Sequence, residues 1–158
     1  MTFSIDKTYL TKATQELVQI NSINPSLSAD GKGEAEIGTY VADSLNTLGL
    51  DVELSEIAPG RFNVVGTLKG SGGGRSLLLN AHMDTVGVDG MTIDPLGGDL
   101  RDGRVYGRGS QDMKGSLAAM MAAAKALVDA GITLKGDLII TGVADEEHSS
   151  IGTEALVK

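Results

Sequence analysis

Residues 76–81 (SLLLNA) and residues 137–143 (DLIITGV) are apolar runs without the alternation of a half-exposed strand. That pattern belongs to strands covered on both faces, as in a parallel sheet, so both are expected to be central strands. Between them, residues 113–130 are rich in Ala and Met and stop at Gly131, which predicts a narrow-sided helix able to lie close against a sheet. Strand, helix and strand in this order imply a right-handed crossover and an α/β layered fold.

Working outward, residues 6–20 place Leu10, Ala13, Leu17 and Ile20 on one helical stripe, with Ser4 as the expected cap and residues 21–25 as the stop. Residues 33–48 predict a second helix, with Ile37, Tyr40, Val41, Leu45 and Leu48 on one face and Gly49 ending it. Strands are expected over 51–57 and 62–68 around a Pro59-Gly60 turn. The Gly/Ser stretch 70–74 reads as a loop between neighbouring strands, being too short to separate domains. Glycine, at 22 of 158 residues, gathers near the strand ends, where loops must turn tightly around a site.

Charge and composition narrow the function classes. The net charge is −8 and no basic cluster exists, so there is no Lys/Arg stripe to engage nucleic acid or an anionic membrane. Hydrophobic residues at 41% and charged residues at 22% match a globular chain rather than a disordered or fibrous one. The longest charge-free apolar run, between Lys114 and Lys125, is far short of the roughly 20 residues a spanning helix needs, and no signal-peptide pattern opens the chain. A cytoplasmic location is the resulting expectation. With no cysteine, any transition metal must be held by His, Asp and Glu.

Three polar clusters stand where the predicted elements end: His82-Met83-Asp84 after the first apolar run, Asp112 before the Ala-rich helix, and Asp145-Glu146-Glu147 after the second run. In an open α/β sheet, groups beyond the carboxyl ends of the strands share one crevice, so these clusters can converge. His82 and Asp84 point the same way on extended chain, and a carboxylate beside an imidazole fixes its tautomer. Each cluster also has a plain reading by itself: a hydrogen-bonded core histidine, a helix N-cap at Asp112, and a solvated acidic loop. Adjacent glutamates repel unless solvent or a cation compensates them. Together the clusters compose an oxygen-rich, imidazole-containing metal site without sulfur. His148 reads as a solvated loop residue. A dinucleotide fingerprint fails because Asp112 stands where a third glycine would follow Gly107 and Gly109, and a phosphate loop fails because Met113 precedes Lys114.

The ordered stretches His82-Met83-Asp84-Thr85-Val86, then 103–115 (GRVYGRGSQDMKG), then Asp145-Glu146-Glu147 resemble the three signatures of the M20 family of metallopeptidases and deacylases. Residues 21–25 also resemble that family's N-terminal segment. The resemblance implies a three-layer α/β sandwich with a mainly parallel central sheet, incomplete at its C-terminal end, here as the N-terminal portion of a catalytic domain without the lid or dimerisation domain. It implies two Zn²⁺ ions, or Co²⁺ or Mn²⁺ in their place, with His82 on one, Asp112 bridging both and Glu147 on the second. Asp84 would orient His82, Glu146 would be the general acid/base, and Asp112-Met113 is a candidate cis peptide. The implied substrate is an N-acyl amino acid or small peptide, and the implied full-length assembly a homodimer. Met91 and Leu96 stand where the family often carries aromatic residues.

The resemblance further places two metal ligands and the oxyanion-stabilising groups beyond Lys158. The isolated chain is therefore expected to be inactive and prone to associate, through a sheet edge and an apolar face left for later strands. Two other readings remain beside the hydrolase: a noncatalytic metal-binding or interaction module that keeps the motifs, and another dinuclear zinc aminopeptidase group sharing a His-x-Asp and a Glu pair.

Overall fold

A computed structural model describes residues 4–158. Its elements run α1 (Lys7–Gln19), α2 (Ala35–Thr47), β1 (Asp51–Ala58), β2 (Arg61–Leu68), β3 (Leu77–His82), β4 (Asp99–Arg101), β5 (Arg104–Tyr106), α3 (Lys114–Asp129), β6 (Leu138–Val143) and α4 (Ile151–Leu156). Helix α1 is capped by Asp6 rather than Ser4, its carboxylate accepting from the Tyr9 amide at 3.0 Å. Gly49 and Gly131, just past α2 and α3, take φ of 85° and 62°, the left-handed conformation that lets a helix end sharply.

The main sheet has the order β1-β2-β6-β3. The α/β class with a central sheet is as the sequence indicates, and the sheet is mixed. β3 and β6 pair in parallel, whereas β2 runs antiparallel to both β1 and β6. The hairpin turn at Pro59-Gly60 forces the first of these antiparallel pairings, and β2 carries that direction against β6. Between the named strands, parallel pairing thus covers only the strand-helix-strand unit among the described residues. β6 is central, as expected, but β3 forms an edge of the described sheet, with Leu77 and Leu78 57% and 48% exposed. Asp102-Gly103, both with positive φ, turn a small β4-β5 hairpin that the apolar pattern did not reveal.

One buried cluster joins Ala13 and Leu17 of α1, Ile37, Val41 and Leu45 of α2, Leu117 and Met121 of α3, and Val64, Ala81 and Ile140 of the sheet. The short α4 packs at the other face, where Gly152 lies directly against Ala144 and the Asn63 side chain. No described helix is long and apolar enough to cross a membrane.

Candidate metal centre

β3 and β6 are in parallel register with His82 opposite Val143, so both strands end at one rim. The chain beyond β3 is held there by a parallel bridge between Ile23 and Thr85, which brings residues 21–25 alongside. Helix α3 starts at the same rim, and the Asp112–Met113 peptide before it is cis, the bond singled out from the sequence.

This arrangement gathers His82, Asp112 and Glu147, with one ligand atom from each lying within 4.8 Å of the others. His82 is buried, and its Nδ1 lies 2.9 Å from the backbone carbonyl of Asp84. A carbonyl can only accept, so Nδ1 carries the hydrogen and Nε2 faces the cluster. Nε2 lies 3.1 Å from Asp112 Oδ1 and 3.6 Å from Glu146 Oε2. Burial pulls the imidazole pKa down, but the hydrogen bonds to Asp84 and Asp112 outweigh it and raise the value to about 9. Asp112 does not cap α3: its side chain is 79% exposed and turned toward His82. Burial raises the Glu147 carboxyl above its ordinary value, and the charges of Asp112, Asp84 and Glu146 add to this against the opposing pull of His82. Carboxylates converging on an imidazole nitrogen, with no Lys or Arg among them, fit a divalent cation.

Asp84 is placed differently from a simple carboxylate-imidazole pair. Its carboxylate stands 3.6 Å from His82 Nδ1 and is occupied mainly elsewhere: Oδ1 accepts the Glu146 amide at 3.0 Å, while Oδ2 accepts the Glu147 amide at 3.2 Å and Asn24 Nδ2 at 2.7 Å. Asn24 also donates to Asp145 Oδ1 at 2.9 Å. Arg61 reaches the same oxygen at 3.1 Å and grips Glu34 through two bonds of 2.6 and 2.7 Å. Lys114, 1% exposed, donates to the Ile20 carbonyl at 2.8 Å, and burial pushes its ammonium down to about 7.

Asn24, Glu34, Arg61 and Lys114 were not singled out in the sequence as site residues. Only Asn24 had a signal, lying in the stretch 21–25. The loop glycines pack closely against the protein: Gly107 abuts Val18 and Pro95, and Gly109 abuts Thr85 and Lys114. His148 is exposed, its Nδ1 2.6 Å from Ser149 Oγ, and lies outside the ligand group.

An α/β sheet with an imidazole and carboxylates gathered beyond the ends of its parallel strands defines a layered α/β protein with a candidate metal site. The signature of peptidase family M20/M25/M40 matches residues 78–158, and the chain belongs to that family. It is 37% identical over 144 residues to an N-formyl-4-amino-5-aminomethyl-2-methylpyrimidine deformylase of Halalkalibacterium halodurans, a match covering 88% of this chain and 34% of that protein. Among solved structures, human carnosine dipeptidase 1 superposes with a TM-score of 0.80 at 24% identity, covering 94% of this chain and 34% of that one. An M20 family metallo-carboxypeptidase from Sulfolobus solfataricus gives 0.75 at 25% identity, covering 87% and 31%. The chain spans about a third of the length of the curated relative it matches.

Proposed function

We propose that these residues are the N-terminal portion of the catalytic domain of a dinuclear zinc hydrolase that cleaves an amide bond of an N-acyl amino acid or small peptide. The observation that carries this is the convergence of His82, Asp112 and Glu147 within 4.8 Å, from three separate elements. Their donor set, one imidazole nitrogen and carboxylate oxygens without sulfur, suits Zn²⁺, with Co²⁺ and Mn²⁺ as substitutes. His82 would hold one ion, Asp112 would bridge two, and Glu147 would hold the second. Bound divalent cations lower the pKa of a water between them and polarise the scissile carbonyl.

The chain's own groups supply the rest. Glu146 is half exposed beside the ligand atoms and is left free to take a proton from water and deliver it to the leaving nitrogen. Asp84 presents its carbonyl to His82 Nδ1 and its carboxylate to the amides of both glutamates, which fixes the imidazole tautomer and the turn together. The deformylase relative acts on an N-formyl compound by its name, which supports the deacylase side of this reading. A cytoplasmic location and a homodimer of the full-length protein belong to the same reading and rest on sequence composition and family resemblance.

The test is Glu146→Gln in the complete polypeptide. Metal content stays at two ions while turnover of N-acyl substrates falls by about 10²- to 10⁴-fold, the usual contribution of a general base. Retained turnover rejects the role of Glu146, and a protein without metal rejects the reading.

A further inference from the structure

We infer that Glu34 and Arg61 are positioning residues for the Glu146-Glu147 turn, acting through Asp145; the inference deepens the proposed function and rests on it for what the turn does. Three successive backbone amides of the turn donate to buried carboxylates: Asp145 N to Glu34 Oε1 at 3.2 Å, Glu146 N to Asp84 Oδ1 at 3.0 Å and Glu147 N to Asp84 Oδ2 at 3.2 Å. Asn24 uses one amide group to hold Asp84 Oδ2 and Asp145 Oδ1 together, which sets the spacing between the ends of β3 and β6. Asp145 has φ of 65°, a left-handed conformation that a non-glycine residue keeps only when its surroundings impose it.

Glu34, Asp84 and Asp145 are all buried, with exposures of 0%, 1% and 2%. Arg61 is the guanidinium that answers two of them at once, in a fork on Glu34 and with a further bond to Asp145. Removing it leaves two buried carboxylates without a counter-charge, which must then take up protons or turn toward water. Protonation weakens the acceptor offered to Asp145 N and reorientation withdraws it, so either change loosens the turn. Lysine does not replace this fork, because a single ammonium cannot present the paired geometry.

Amide hydrogen exchange of the metal-free 158-residue chain tests this with wild type, Arg61→Lys and Glu34→Gln. The amides of Asp145, Glu146 and Glu147 should exchange at least about tenfold faster in both variants, while those of Ile140 and Thr141 in β6 keep their wild-type rates. Unchanged exchange in the turn overturns the inference, as does equal acceleration in β6, which marks general loss of stability. If Arg61→Lys does not fold, Glu34→Gln decides alone, since it keeps the side-chain shape while removing the charge and turning one of the two acceptor oxygens into a donor. Co²⁺ titration of the same samples separates the two ideas. Where wild type binds Co²⁺, Glu34→Gln should bind at least about tenfold more weakly, as loss of a partner behind the ligands does, and equal affinity overturns the inference. If the wild-type 158-residue chain binds no Co²⁺, the exchange rates alone decide the role of Glu34 and Arg61, and the metal reading is decided by the metal content of the complete polypeptide.

Discussion

His82 Nε2 and Asp112 Oδ1 lie 3.1 Å apart, one at the end of β3 and the other before α3. No helix or strand of its own makes this contact. It exists because the β3-β6 register and the seating of α3 bring two chain segments to one rim, with Glu147 completing the group.

Metal binding should therefore depend on each of the three. In the 158-residue chain, Asp112→Ala or Glu147→Ala should weaken Co²⁺ binding by about tenfold or more, whereas Glu146→Ala should leave it close to wild type. Isothermal titration measures this; an equal loss in Glu146→Ala would show that the two glutamates do not divide their roles.

Gly109 packs with φ of 79°, and an added Cβ would stand 2.8 Å from Thr85 Cγ2 and 3.0 Å from Lys114 Cδ. Gly109→Ala should cost about 2–4 kcal/mol, from left-handed backbone and overpacking together. Urea denaturation reads the loss; a change under about 0.5 kcal/mol would mean that the loop repacks freely.

The free edge of β3 should drive self-association. Leu77 and Leu78 are the exposed apolar residues there, and lysine on an edge strand blocks strand addition. Sedimentation of the Leu77→Lys/Leu78→Lys double variant should show less association than wild type at equal concentration. Undiminished association would place the sticky surface elsewhere.

Asp137 anchors the glycine-rich loop. The Gly70 amide, at 2.9 Å, and then Lys69 hold its carboxyl below the ordinary value of 3.8. A depressed folded-state pKa stabilises above the unfolded value and loses that effect as pH falls through the folded one. Wild type should exceed Asp137→Asn in urea midpoint at pH 7, with the gap closing below about pH 4. A gap constant down to pH 2 would assign the difference to packing instead of charge.

Much of this was legible in the residues. The Ala-rich helix, the two apolar strands and the Pro59-Gly60 hairpin are local patterns, the polar clusters stood at element ends, and the choice of His82, Asp112 and Glu147 among them came from the family resemblance. The edge position of β3 was not legible, because an apolar run such as 76–81 records how a strand is meant to be covered without recording which neighbours are present. Asp6 won the α1 cap over Ser4 because its carboxylate stands three residues before the Tyr9 amide. Glu34 and Arg61 gave no signal, since a buried ion pair and a surface charge use the same letters.

Sequence by itself determined the types of the longer elements and which side chains could bind a cation, since periodicity and donor chemistry are properties of short stretches. Only the tertiary structure decided the order β1-β2-β6-β3 and the tie from Glu34 through Arg61, Asp145 and Asn24 to Asp84. These depend on contacts between residues as many as 121 positions apart, and burial selects such contacts only once the chain has folded.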